Sequence, residues 1–135
     1  MTASAPASTC LRRAEAREGG DPAGVADPLE EALQQLQGAT MWLAQHGMAD
    51  PNNAGAGAYA YMELMGLVCL GWMWLKMAGA SARLKDEPGE DASFHHAKLV
   101  TASFFAKREL GRASALRKEV EAGAEAVMAL PVEAF

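Results

Sequence analysis

Leu29, Leu33, Leu36, Thr40 and Leu43 recur along the chain at four-then-three spacing. That repeat places them on one stripe and predicts an amphipathic helix. Asp27 reads as its N-cap, Pro28 suits the first helical position, and Glu30 stands where a capping box wants an acid. Gly47 reads as the stop, with Asp50-Pro51 following as a breaker.

"ADPNNAGAGA" then reads as a short turn. A second helix is expected to begin between Asn53 and Ala58 and to run to about Leu84. It holds the most apolar run of the chain, "MELMGLVCLGWMWLKMA", with no charge between Glu63 and Lys76. The 12 uninterrupted residues from Leu64 to Leu75 cover only about 18 Å as a helix, against the roughly 30 Å of a bilayer core. Widening the span brings both charges into the hydrocarbon, at about 2.5–3.5 kcal/mol each near the centre. The pattern therefore favours the central helix of a bundle, apolar all round because neighbours cover it. Gly57, Gly66 and Gly71 are expected to let a neighbouring helix approach closely.

"LKDEPGEDAS" reads as a loop around Pro88-Gly89, and Asp91 or Ser93 as the cap of a third helix. Phe94, Ala97, Thr101, Phe104 and Phe105 are expected to form its inner face. The helical pattern continues from Leu110 to Leu130 through Leu116, Val120 and Val127, kinked or divided at Gly111 or Gly123. There is no alternating strand pattern and no internal repeat. The predicted fold is all-α, an antiparallel bundle of three to four helices with short loops.

A net charge of −5 and a pI of about 5.1 argue against nucleic acid and anionic membrane surfaces as partners. Cys10 and Cys69 are too few for a disulfide framework and read as free thiols, which points to a reducing, cytoplasmic setting. The opening "MTASAPASTCLRRAEAREGGDPAGVA" has no apolar segment of a signal peptide and carries acids that a transit peptide avoids. Residues 1–26 are thus expected to be a disordered leader and residues 27–135 the helical domain.

No catalytic, cofactor-binding or metal-binding residue emerges from the motifs. His95 and His96 are adjacent, so on a helix they diverge by about 100° and cannot share an ion; both read as surface residues. His46 reads as a partner for the negative end of the first helix. Met62, Met65, Met73 and Met77, with Trp72 and Trp74, would suit either a ligand groove or simple packing, and packing is the plainer reading. Glu63 lacks a partner nearby in sequence for general-base work and reads as a helix-end carboxylate or as paired with a base from the third helix. Arg112, Arg117 and Lys118 interleave with Glu109, Glu119 and Glu121, as on a solvated, salt-bridged face. "NAGAGAYA" follows no strand and so is not a dinucleotide loop.

The stretches "LQGATMWLAQHGMADP", "AGAYAYMELMGLVCLGWMWLKMA", "FHHAKLVTASFFAKREL" and "AGAEAVMALPVEAF" together resemble the extra C-terminal domain of bacterial acyl-CoA dehydrogenases of the 3-methylmercaptopropionyl-CoA dehydrogenase type. The likeness runs from about Asp27 to the last residue. It rests on Tyr61, Leu64 and Gly66 leading into Gly71-Trp72, on Phe94, Lys98 and Phe104-Phe105, and on the terminal "MAL…AF". Gly111 stands where that family usually has proline. The resemblance implies a parent flavoenzyme that uses FAD to oxidise the Cα–Cβ bond of an acyl-CoA thioester. Its flavin site and catalytic glutamate would lie in a core preceding this domain. Glu63 does not match that glutamate. The chain itself would hold no cofactor, would not be catalytic alone, and would have a flavin-containing core or a second copy as partner. The alternative is a free-standing helical module that self-associates and has no enzymatic role.

Overall fold

The structure, a computed structural model, describes residues 20–134. Cys10 and most of the segment read as a leader lie outside the described residues. Among those described, four helices appear: α1 (Ala26–Ala49), α2 (Pro51–Leu84), α3 (Ala92–Arg108) and α4 (Ala113–Glu121). A 3-10 turn, Leu110–Arg112, joins α3 to α4, and a second one, Val132–Ala134, follows later. The described residues contain no strand, as the all-α pattern requires.

The start of α1 differs from the capping-box reading. Asp21 is the acceptor: its carboxylate takes the backbone N–H groups of Val25 at 2.8 Å and Ala26 at 2.9 Å. Gly24, at φ +66°, makes the turn that brings Asp21 over the helix end, a conformation glycine adopts without strain. Asp27 lies inside the first turn, where an acid still complements the positive helix end. The packed structure also begins before Asp27, since Ala23, Val25 and Ala26 are buried.

The α1–α2 connection is a single residue. Asp50, with extended backbone, accepts from the N–H of Asn52 at 3.0 Å, and Pro51 occupies the first helical position, where its missing N–H costs nothing. Gly47 therefore does not stop α1, and the glycine-rich "NNAGAGA" is helix rather than turn. Tertiary packing overrides weak propensity there. Gly57 faces Val120 so closely that an added Cβ would sit 3.4 Å from it.

Contacts along the rods fix their directions. Gly47 meets Ala54, Thr40 bonds Tyr61, and Leu29 reaches Gly71, so α1 and α2 are antiparallel. Trp74 packs with Phe105, Glu63 pairs with Arg112 and Gly57 lies against Val120, so α3 and α4 both run against α2. α2 touches α1, α3 and α4 and is the centre of the bundle. Leu64, fully buried, and Leu67, Val68 and Leu75 form its inner face with Leu29, Leu110, Leu116 and Val120 from the neighbours. Gly71 lets Leu29 and Leu110 close over α2: a Cβ there would lie 2.8 Å and 2.9 Å from their methyl carbons. Gly66, by contrast, faces open space, so close approach holds at Gly57 and Gly71 but not at Gly66.

By length and composition α2 could cross a membrane, because its helix continues well beyond the uncharged run; 44% of its most apolar stretch is buried inside the fold.

α3 corrects the expected register. Its buried residues are His95, Ala102 and Ala106, whereas Phe94, Ala97, Thr101 and Phe104 are exposed and Phe105 is half-buried. Small alanines let α3 lie close to α2, and the large side chains are displaced outward. Asp91 caps it, accepting from the N–H groups of Ser93 at 2.9 Å and Phe94 at 3.2 Å. The last rod breaks at the turn containing Gly111 and ends at Glu121, shortly before Gly123 at φ +69°. Beyond it Val127 is exposed rather than packed.

Candidate functional site

The pairing of α2 with the α3–α4 junction leaves one groove of about 250 Å³, lined by Glu63, Gly66, Leu67, Leu70, Phe105, Glu109, Arg112 and Leu116. Its floor is apolar and its rim is charged. The 3-10 turn swings Arg112 back toward α2. There the guanidinium lies 3.3 Å from the Glu109 carboxylate and 3.8 Å from that of Glu63. The Tyr59 hydroxyl donates to Glu63 at 3.2 Å. Glu63 is thus paired with a base, but the partner stands in the 3-10 turn after α3 and not in the third helix, where one sequence reading had it. With one guanidinium between two carboxylates, the rim carries a net negative charge and does not suit a phosphate or a coenzyme A thioester's anionic end.

A second depression, of about 450 Å³, lies along α1 at Leu36, Gln37, Thr40 and Met41. Its one hydroxyl is engaged: Thr40 Oγ1 donates to the Leu36 carbonyl at 2.8 Å and is 2.9 Å from the Tyr61 hydroxyl.

The histidines divide. His95 is buried, contrary to the surface reading; its Nε2 lies 3.0 Å from Glu90, and its Nδ1 is buried without a hydrogen-bond partner. His96 is exposed. His46 stacks on Trp42 at 4.4 Å, with Nδ1 3.0 Å from the Trp42 carbonyl in the last turn of α1. Among the described residues no three His, Cys, Asp or Glu side chains gather as a metal would need.

The interleaved charges pair as a solvated face does, Arg117 with Glu121 at 2.7 Å and Arg112 with Glu109. Arg117 does more than its charge pattern indicated. It lies across Gly38, where a Cβ would strike its guanidinium, and donates to Gln35 at 3.4 Å, tying α4 to α1. Asn53 was equally unannounced: its Oδ1 accepts from the N–H of Ala124 at 2.9 Å and its Nδ2 donates to the His46 carbonyl at 3.4 Å. One side chain thereby ties the ends of α1 and α4 to the start of α2. Single polar residues with distant partners leave no periodic signal, and only glycine at 38 hinted at a crossing.

The Asp91 carboxyl is held below its ordinary range, first by the Ser93 hydroxyl and then by the N–H groups of Phe94 and Ser93. This is a cap, and the chemistry ends there.

The methionines and tryptophans separate by face. Met62, Met65 and Met73 are exposed; Met77, Trp72 and Trp74 are half-buried. Cys69 is an exposed free thiol. Trp74 is covered by Phe105 and by the Lys98 ammonium 5.7 Å above its ring.

These side chains provide packing and polar ties. Comparison with known proteins gives the context. The pattern of the family described as "Acetyl-CoA dehydrogenase C-terminal like" matches residues 6–131. The chain belongs to this family. The match begins well inside the segment read as a leader. A "Broad-specificity linear acyl-CoA dehydrogenase FadE5" from Mycobacterium tuberculosis is 28% identical over 115 residues, 79% of this chain and 19% of that protein. A "3-methylmercaptopropionyl-CoA dehydrogenase" from Ruegeria pomeroyi is 33% identical over 91 residues, 67% of this chain and 15% of that protein. The chain thus spans less than a fifth of the curated relatives it matches, and it corresponds to the C-terminal domain of acyl-CoA dehydrogenases.

Proposed function

We propose that this chain serves as the C-terminal helical domain of an FAD-dependent acyl-CoA dehydrogenase and docks on the flavin core or a second subunit. The observation that carries this reading is the family match over residues 6–131, joined to relatives many times longer than the matched segment. The parent reaction would be flavin-dependent oxidation of an acyl-CoA thioester in fatty-acid metabolism, in the cytoplasm and without a membrane span.

The chain's own residues supply structure. The groove of about 250 Å³ at Glu63 is rimmed by charges already paired with one another. The dish on α1 offers a hydroxyl that is already bonded. Gly55 and Gly57, in the glycine-rich stretch that the sequence already excluded as a dinucleotide loop, lie inside α2, where their N–H groups serve the helix. Glu63 lies on the rim of that groove, bonded by the Tyr59 hydroxyl and paired with Arg112.

The test is a dye-reduction assay with FAD and butyryl-CoA or 3-methylmercaptopropionyl-CoA. The chain alone should be colourless and give no turnover. Adding it to a related core that lacks this domain should raise that core's turnover or its resistance to heat. Turnover by the chain alone would contradict the proposal.

A further inference from the structure

α3 has two apolar stripes, and the fold uses one of them. The buried stripe is His95, Ala102 and Ala106. About 180° around the helix, Ala97, Val100, Phe104 and Lys107 follow at spacings of three, four and three, all exposed, with Arg108 beside the last. Val100 exposes 56% of its surface, Phe104 58%, and Phe94 on the flank 54%. An apolar stripe at this spacing is what a helix presents to a neighbour rather than to water. The charges of α3 are one-sided as well. It carries Lys98, Lys107 and Arg108 and no carboxylate, in a chain of net charge −5. Lys98 lies over the Trp74 and Phe94 rings. Among the described residues no ion pair takes in Lys107 or Arg108. Their place in the last turn complements the helix dipole, but the dipole asks nothing of Val100 or Phe104.

We propose that the outward face of α3 is the surface that receives the flavin core, and that what it receives is an amphipathic helix carrying carboxylates. The proposal rests on the docking reading above and names its surface and the chemistry of its partner. The spacing of Ala97, Val100 and Phe104 calls for a helix, whose own apolar stripe would cover theirs. Phe104 is the anchor, a large aromatic that gains most from being covered. Ala97, one small side chain two turns before it, lets the partner come close. Lys107 and Arg108 call for acids at the end of the partner's stripe, since they reach the interface with no ion pair to give up. A second copy of the same face does not supply them. The acids at the start of α3 are already committed, Glu90 to His95 at 3.0 Å and Asp91 to the N–H groups of Ser93 and Phe94.

Titration calorimetry of the full chain against an acyl-CoA dehydrogenase core lacking this domain tests the assignment. Phe104→Ser should weaken binding by at least about tenfold, with helical circular dichroism unchanged. The double variant Lys107→Gln and Arg108→Gln should weaken it at low salt and flatten its dependence on salt. Met62→Ser, exposed on α2, is the control and should bind as the native chain does. If the native chain binds and the Phe104 and Lys107/Arg108 variants bind equally well, the assignment to α3 falls while the docking reading stands. Loss of binding in Met62→Ser but not in Phe104→Ser overturns it in the same way. No binding by the native chain sinks the docking reading and this proposal together. Flotation of the native chain with phosphatidylserine vesicles, lost in Phe104→Ser, would make the face a lipid-binding surface and overturn the proposal.

Discussion

At the scale of single residues, glycine has two opposite meanings on α2. Gly71 sits beneath Leu29 and Leu110, and both are buried, so Gly71→Val overpacks the centre and should lose about 1–3 kcal/mol of stability. Gly55 has no neighbour within 4 Å. Gly55→Ala should therefore gain about 0.5–1 kcal/mol by restricting the unfolded chain and improving helix propensity. Urea melts of the pair should move in opposite directions. Asp91 gives a prediction in pH. Its folded carboxyl titrates below the ordinary 3.8, so its contribution is present above that value and is lost as pH falls through the lowered one. Asp91→Ala should lower the melting temperature at neutral pH, and the gap from the native chain should narrow on acidification below the ordinary carboxylate range. A gap that stays constant with pH would contradict the capping role.

At the scale of elements, α2 is the piece on which the others depend. Leu64 is fully buried, and Leu64→Ala should cost about 2–5 kcal/mol through the cavity left behind. Trp72→Ala should cost less, because Trp72 is only half-buried. Equal midpoints for Leu64→Ala and the native chain would remove α2 from the core. The number and order of the helices were legible from spacing, because stripes such as Leu29, Leu33 and Leu36 must be covered. The boundaries were less so. Asp21 caps α1 from outside the apolar pattern, and Asp50 compresses a connection that composition alone made look like a loop. α3 misled for a definite reason: large aromatics were assigned to the core, but the closeness of α2 and α3 is set by Ala102 and Ala106, and Phe94 and Phe104 stay outside. His95 followed the same inverted register inward. No spacing rule marks the crossing of Arg117 over Gly38 or the ties made by Asn53, because each joins residues far apart in sequence.

At the scale of the whole molecule, the bundle is complete on its inner side and unfinished on its outer one. Tyr59, Met62, Met65, Leu70 and Met73 of α2 and Phe94, Val100 and Phe104 of α3 are all exposed, more apolar surface than solitary exposed residues account for. Its groove carries a closed set of charges, and its family is the C-terminal part of much longer enzymes. These features support the proposed docking role. The most direct measurement is sedimentation velocity of this chain mixed with an acyl-CoA dehydrogenase core from which the matching domain has been removed. Docking predicts that the flavin absorbance moves to a faster boundary in the presence of the chain. Flavin and chain sedimenting independently at every ratio would contradict it.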